Sequence, residues 1–108
     1  MPRASTISDP FNAVAEPRRR QILEFLAADE RAVGEIADAL EFEQPSVSKH
    51  LQVLRKARLV REEPRGRERY YHLNPRPLSE VEAWLGAFTH YWKQRLASLE
   101  ELLEKEKE

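Results

Sequence analysis

The chain has 108 residues, of which 41% are hydrophobic and 34% are charged, with a formal net charge of −1. This length suits one small globular domain, and domains of this size often gain stability by forming oligomers. The absence of cysteine excludes disulfide bonds, thiolate metal sites and thiol redox chemistry. Residues 1–20 lack the apolar segment of a signal peptide, and no stretch is long enough to cross a bilayer, so we expect a cytoplasmic protein.

Two short helices are predicted in the first third of the chain. Residues 1–8 form a polar tail, after which Asp9 and Pro10 provide an N-cap and a first helical residue. Pro17 ends this helix and begins a second one. We interpret the arginines at residues 18–20 as a solvated first turn with one member in an ion pair, in preference to a phosphate-binding cluster.

The segment from residue 32 to residue 57 predicts two helices that cross. Two sets of apolar residues have the spacing of one helical face, and these are Val33, Ile36, Ala37 and Leu40 in the first set and Val47, Leu51 and Leu54 in the second. Only residues 41–44 separate the sets, and Pro45 suits the first position of the second helix, where its missing N–H is harmless. Such a short connection forces the helices to pack on each other, which is helix-turn-helix geometry.

The exposed face of the second helix of this helix-turn-helix is polar and cationic. Val47 lies at the centre of the buried face. The residues on the opposite face are Lys49, Gln52 and Lys56, with Ser48 at its edge. One interpretation is a solvated helix surface. The other is a recognition helix in the major groove of DNA, where Ser, Gln and Lys side chains reach base edges or phosphates.

A β-hairpin is predicted after the helix-turn-helix. Residues 59–63 and 68–73 read as strands, with residues 64–67 as the turn between them. The turn presents Arg65 and Arg67 at the hairpin tip, a shape that can enter a minor groove or bind a phosphate. The alternative is an exposed basic hairpin without a partner, which is less expected directly after a helix-turn-helix.

One long helix without internal proline is predicted from residue 77 to residue 107. Its apolar residues recur at steps of three and four, and they form more apolar surface than a single helix over a small domain needs to bury. We therefore expect the helix to pair with its own copy. The predicted dimer interface comprises Phe11, Val14, Leu78, Val81, Leu85, Phe88, Trp92, Leu96 and Leu99.

Charge is unevenly distributed along the chain. Residues 1–43 carry a net charge of −4, residues 44–76 carry +6, and residues 77–108 carry −3. The cations are thus concentrated on the second helix of the helix-turn-helix and on the hairpin. This distribution favours an anionic partner on that side of the protein.

Four motifs occur in the order Pro17-x-Arg19-x-x-Ile22-Leu23, Gln44-x-x-Val47-Ser48-x-His50-Leu51-x-x-Leu54, Leu59-Val60 and Gly66-Arg67-x-x-x-Tyr71-x-Leu73. Together, over residues 10–75, they resemble the winged-helix repressors of the ArsR/SmtB family. In that resemblance the DNA-contacting positions correspond to Gln44, Ser46, Ser48, Lys49 and His50, with Arg67 in the hairpin, which is called the wing. Where such proteins usually have glycine after each helix of the motif, this chain has Glu41 and Arg58. A non-glycine residue in a left-handed conformation costs about 1 kcal/mol.

The resemblance implies a single winged helix-turn-helix domain over residues 1–108, mainly α with a small β-hairpin. We predict a DNA-binding core at residues 9–76, with the wing at residues 59–73, and a C-terminal dimerisation helix at residues 77–107. The predicted function is a sequence-specific transcriptional regulator without a cofactor, acting as a homodimeric repressor at a pseudo-palindromic operator in double-stranded DNA, with no membrane partner. The predicted DNA-contacting residues are Gln44, Ser46, Ser48, Lys49, His50, Gln52, Arg65 and Arg67.

Three other functional classes fit the sequence less well. Ser48 and His50 point roughly 200° apart on a helix, so they do not form the hydrogen bond that a nucleophile and its base require, and an enzyme is not expected. The three histidines, His50, His72 and His90, fall on different elements, so we predict no metal ligands, and a metal-responsive repressor of the same fold is the alternative. A winged helix used only for protein interaction is a further alternative, but such domains generally lack a cationic recognition face.

Overall fold

The computed structural model describes residues 9–107, and the predicted polar tail lies outside them. The helices are α1 (Pro10–Val14), α2 (Pro17–Ala28), α3 (Val33–Leu40), α4 (Gln44–Lys56) and α5 (Leu78–Lys107), and the strands are β1 (Arg31–Ala32), β2 (Val60–Arg65) and β3 (Glu68–Leu73). The predicted winged helix-turn-helix with a long C-terminal helix is confirmed. No helix between residues 9 and 107 has the length and apolar character needed to span a membrane.

Side-chain hydrogen bonds define the ends of the first helix. Asp9 caps α1 by accepting a hydrogen bond from the Phe11 amide at 2.8 Å. Arg19 donates through Nε to the Ala13 carbonyl at 2.7 Å, and Arg20 donates to the Val14 carbonyl at the same distance. Two of the three arginines therefore satisfy carbonyls left unpaired at the end of α1. Within residues 9–107 the arginines at 18–20 form these hydrogen bonds and not the predicted ion pair.

The core lies between α2, α3, α4 and the sheet. The largest fully buried side chains are Ile22, Ile36, Val47, Leu51, Leu54 and Leu59. Four of these belong to the two apolar faces that residue spacing predicts for the helix-turn-helix. Ala37, only 6% exposed, lies in the same cluster, and its small side chain lets α3 approach α4 closely.

The sheet has three antiparallel strands in the order β1-β3-β2. Strand β1 was not predicted because two residues are too short to show an alternating pattern. The predicted turn at residues 64–67 was too long, since Pro64 and Arg65 continue β2 and leave only Gly66 and Arg67 in the turn. Pro64 is tolerated because β2 is an edge strand. Gly66 has φ +62°, a left-handed conformation that favours glycine.

The helix-turn-helix contains two non-glycine residues in the left-handed region. Glu41 ends α3 with φ 58°, and Arg58 follows α4 with φ 63°. The turns therefore keep the left-handed geometry in spite of the side chains. At the start of α4, Glu43 is the N-cap without a side-chain hydrogen bond. Because the helix begins at Gln44, Pro45 occupies the second helical position, one later than predicted.

Replacing Glu41 by Gly is expected to raise the free energy of unfolding by up to about 1 kcal/mol, because glycine adopts this backbone conformation without a steric penalty. The matched control is Ala39→Gly, which lies inside α3 and should lower the same quantity by about 0.5 to 1 kcal/mol. Urea unfolding of wild type and the two variants at one protomer concentration measures both changes. Equal destabilisation by the two substitutions would contradict the expected relief of strain.

Helix α5 leaves the rest of the domain soon after it begins. Its first residues pack on α1, with the Phe11 and Trp84 ring centroids 5.9 Å apart, and Leu78 touches the core. None of the 30 residues of α5 is buried. Of the predicted dimer residues, Val14, Leu78 and Val81 are half-buried and the other six are exposed. A long apolar surface is therefore uncovered in the single chain.

Candidate nucleic-acid interface

Helix α4 turns a continuous polar face outward because Val47, Leu51 and Leu54 are buried beneath it. The predicted contact residues that are exposed on this face are Gln44, Ser48, Lys49 and Gln52. These side chains combine amide, hydroxyl and ammonium groups, which can pair with base edges and phosphates. The face is thus chemically suited to a major groove.

Ser46 and His50 occupy the side of α4 that faces the body of the protein, and both are half-buried. The Nδ1 atom of His50 is buried and makes no hydrogen bond to any residue from 9 to 107. Burial and the nearby Arg19 lower the pKa of His50 and outweigh the opposing effect of Glu16. His50 therefore resembles a packed edge residue more than a cation presented to DNA.

The tip of the wing lies beside the first turn of α4. Gln44 and Arg67 line one open groove, here called the α4–wing groove, together with Ala32, Val33, Gly34, Glu68 and Arg69. Arg67 is exposed at the turn and forms no ion pair within residues 9–107. Two predicted DNA-contacting residues, one on α4 and one on the wing, are thus neighbours across an open groove.

Arg65 is held against the body of the domain. Its guanidinium donates two hydrogen bonds to the carboxylate of Glu30, the second from Nη2 at 2.9 Å, and it also pairs with Glu63 at 3.2 Å. It stacks on Tyr70 with Cζ 4.6 Å from the ring centroid. The hydrogen bonds to the Glu30 and Glu63 carboxylates raise the pKa of Arg65. The two arginines at the wing tip therefore lie in different environments. Arg65 is paired with Glu30 and Glu63, whereas Arg67 forms no ion pair with any residue from 9 to 107.

A second cluster joins the end of α4 to the wing around Glu62. Its carboxylate accepts hydrogen bonds from Arg69 and from the Tyr71 hydroxyl, both at 2.8 Å, and pairs with Arg55 at 3.2 Å. The hydrogen bond from Arg69 is the largest influence that lowers the pKa of Glu62. Burial, followed by the hydrogen bond to Glu62, raises the pKa of Tyr71 to about 12.

Raising the pH is expected to lower the free energy of unfolding, because Tyr71 ionises. A tyrosine whose pKa is raised on folding stabilises the folded state fully at a pH below its pKa in the unfolded chain, which is near 10. This stabilisation is lost as the pH rises toward the folded-state pKa of about 12. Urea unfolding of wild type and Tyr71→Phe between about pH 9 and about pH 12 tests this, because phenylalanine does not ionise. The free energy of unfolding should fall more steeply in wild type. Parallel curves would contradict the assignment.

One group of potential metal ligands was not predicted from the sequence. Glu30, Glu63 and His72 each offer a ligand atom, and these atoms lie within 4.8 Å of one another. The register that pairs Arg61 with His72 makes Glu63 a diagonal neighbour of His72, so the hairpin alone could have revealed this pair. Glu30 could not be found in this way because it precedes β1. Imidazole and carboxylates suit a divalent cation, but here the two carboxylates already neutralise Arg65.

Helices α3 and α4 cross, α4 has a polar, cationic outer face, and the tip of the hairpin that follows adjoins α4. This arrangement defines a winged helix-turn-helix regulator that binds DNA. Residues 16–62 match the family described as bacterial regulatory protein, arsR family. The chain belongs to the ArsR family of transcriptional regulators. The predicted family and the prediction that the protein is not an enzyme are both confirmed.

Several relatives support this assignment over most of their length. The chain is 40% identical to the HTH-type transcriptional regulator Rv2034 of Mycobacterium tuberculosis, covering 89% of this chain and 87% of that protein. It is 32% identical to the transcriptional repressor SdpR of Bacillus subtilis, covering 73% and 88% of the two chains. A solved structure described as a possible transcriptional regulator for arsenical resistance has a TM-score of 0.71 and 33% identity, covering 83% of this chain and 94% of that chain.

Proposed function

We propose that the protein is a cytoplasmic homodimeric repressor that binds a pseudo-palindromic operator, with α4 reading bases and Arg67 of the wing binding the DNA backbone. The observation that carries this proposal is the α4–wing groove, where Gln44 and Arg67, which forms no ion pair within residues 9–107, line the same open space. Repression, as opposed to activation, is supported by the similarity to a protein named as a repressor.

The homodimer is supported by the uncovered surface of α5. Large apolar side chains on this helix are 43% to 60% exposed, and they are Trp84, Leu85, Phe88, Tyr91, Trp92, Leu96, Leu99, Leu102 and Leu103. A contiguous apolar stripe of this size is unusual on a monomer in water. The same stripe on a second copy has matching chemistry and length, and a two-fold axis would cover both at once.

Two-fold symmetry relates the two α4 helices and therefore predicts the form of the operator. Two half-sites should be separated by about one helical turn, roughly 10 base pairs, because both recognition helices must face the same side of the duplex. Selection of bound sequences from a random DNA pool tests this directly. Recovery of inverted repeats at constant spacing is the expected result. Failure to enrich any sequence would contradict sequence-specific binding.

A metal-responsive repressor is the second candidate, and the group formed by Glu30, Glu63 and His72 is the observation that favours it. We expect no such response, because an ion would have to displace Arg65 from both carboxylates. The affinity for the selected operator should stay the same when zinc is added, and His72→Ala should behave as wild type does. A tenfold change with zinc that a chelator reverses, and that His72→Ala abolishes, would establish the metal-responsive alternative.

A further inference from the structure

Glu62 lies where two arginines of the DNA-facing side meet. Its side chain is only 12% exposed, whereas those of Arg55 and Arg69 are 61% and 62% exposed. The carboxylate is therefore inside and the two guanidinium groups are outside, at the surface. The Tyr71 hydroxyl also donates to the carboxylate, so Glu62 stays in place if one arginine moves away.

Both arginines lie next to residues of the proposed interface. Arg69 lines the α4–wing groove together with Gln44 and Arg67. Arg55 borders a separate depression on α4 together with Gln52. Each guanidinium is therefore within the region where a DNA backbone would pass, but one carboxylate opposes the charge of both.

We propose that Glu62 withholds Arg55 and Arg69 from the DNA backbone and so limits the sequence-independent part of the affinity. This inference rests on the proposed function. Phosphate contacts made by arginine strengthen binding to every sequence about equally, and they steepen the dependence of that binding on salt. An internal carboxylate that competes with phosphate for two arginines lowers the sequence-independent part of the affinity. It leaves base reading by α4 untouched.

The test is Glu62→Gln, which keeps the size of the side chain and an oxygen that can accept from Tyr71 but removes the charge. The matched control is Glu68→Gln, because Glu68 lies on the same wing and contacts the Tyr70 hydroxyl at 3.3 Å without pairing with an arginine of residues 9–107. Both variants change the net charge equally. Affinity for a random-sequence duplex is measured over a salt series, together with affinity for the selected operator.

Glu62→Gln should bind random DNA more tightly and with a steeper salt dependence than Glu68→Gln. Each released arginine adds about 0.9 to the slope, so for each bound protomer a fourfold drop in salt should strengthen binding by an extra factor of about 3 when one arginine is released and about 12 when both are. Affinity for the operator should rise by a similar factor, because contacts to the DNA backbone do not depend on sequence. The inference would be overturned if the salt dependence were equally steep in the two variants, or shallower in Glu62→Gln. Glu62 would then serve only to hold the wing in place.

A converse variant keeps the test decisive if Glu62→Gln does not fold. Arg55→Gln leaves Arg69 and Tyr71 on Glu62, and it should change the random-DNA slope much less than Arg67→Gln does. Equal losses would show that Arg55 already contacts phosphate in wild type and would overturn the inference. Failure of wild type to bind the selected duplex is a separate result that contradicts the proposed function, since the inference concerns only ratios between variants on random DNA.

Discussion

Phe88→Glu is expected to convert the proposed dimer to a monomer and to abolish binding to the proposed operator. In the single chain Phe88 is 43% exposed and packs edge-on against Trp84, with the ring centroids 5.2 Å apart. Pairing of two α5 helices would bury it fully, and a carboxylate at that position would be desolvated without a partner. Two such charges per dimer should raise the dissociation constant by roughly 100-fold or more, since each 1.4 kcal/mol is tenfold.

The matched control is His90→Glu, which places the same carboxylate on the opposite, polar side of α5. Sedimentation velocity at tens of micromolar should show a dimer for wild type and His90→Glu and a monomer for Phe88→Glu. Leu85→Glu, at a position that is 51% exposed, provides a second disruption of the stripe if Phe88→Glu does not fold. A monomeric wild type at that concentration would show that α5 does not join two copies.

Gln44→Ala and Ser48→Ala are expected to lower the preference for operator over random DNA by roughly 1 to 3 kcal/mol for each lost base contact. Both side chains are exposed on the outer face of α4, and each can donate and accept hydrogen bonds. Binding to random DNA should change little, because neither residue is charged. The effect therefore appears as lost discrimination.

Arg67→Ala serves as the contrasting variant because the opposite pattern is expected of it. It should weaken binding to both duplexes and reduce the salt slope by about one unit per half-site, since a backbone contact carries no sequence information. Binding of wild type and the three variants to operator and scrambled duplex over a salt series separates the two effects. An Arg67→Ala protein with unchanged affinity and slope would remove the wing from the interface. A loss confined to operator would make Arg67 a base contact.

The features that depend on local spacing along the chain follow from the sequence alone. The apolar positions of α3 and α4 recur with the helical period, so the spacing alone assigns the buried and polar faces of α4. The exposed stripe of α5 follows from the same reasoning. The resemblance to the ArsR/SmtB family implies glycine at positions 41 and 58, and Glu41 and Arg58 both adopt the left-handed conformation there.

Which cations of the basic segment are held in internal ion pairs depends on the tertiary fold. Arg65 and Arg67 are equivalent in the sequence of the hairpin tip, but Glu30, 35 positions before Arg65, pairs with one of them and not with the other. Arg55 and Arg69 count toward the basic charge of residues 44–76, yet both pair with Glu62. Periodicity describes neighbours along the chain, whereas an ion pair depends on the distance between side chains that folding brings together.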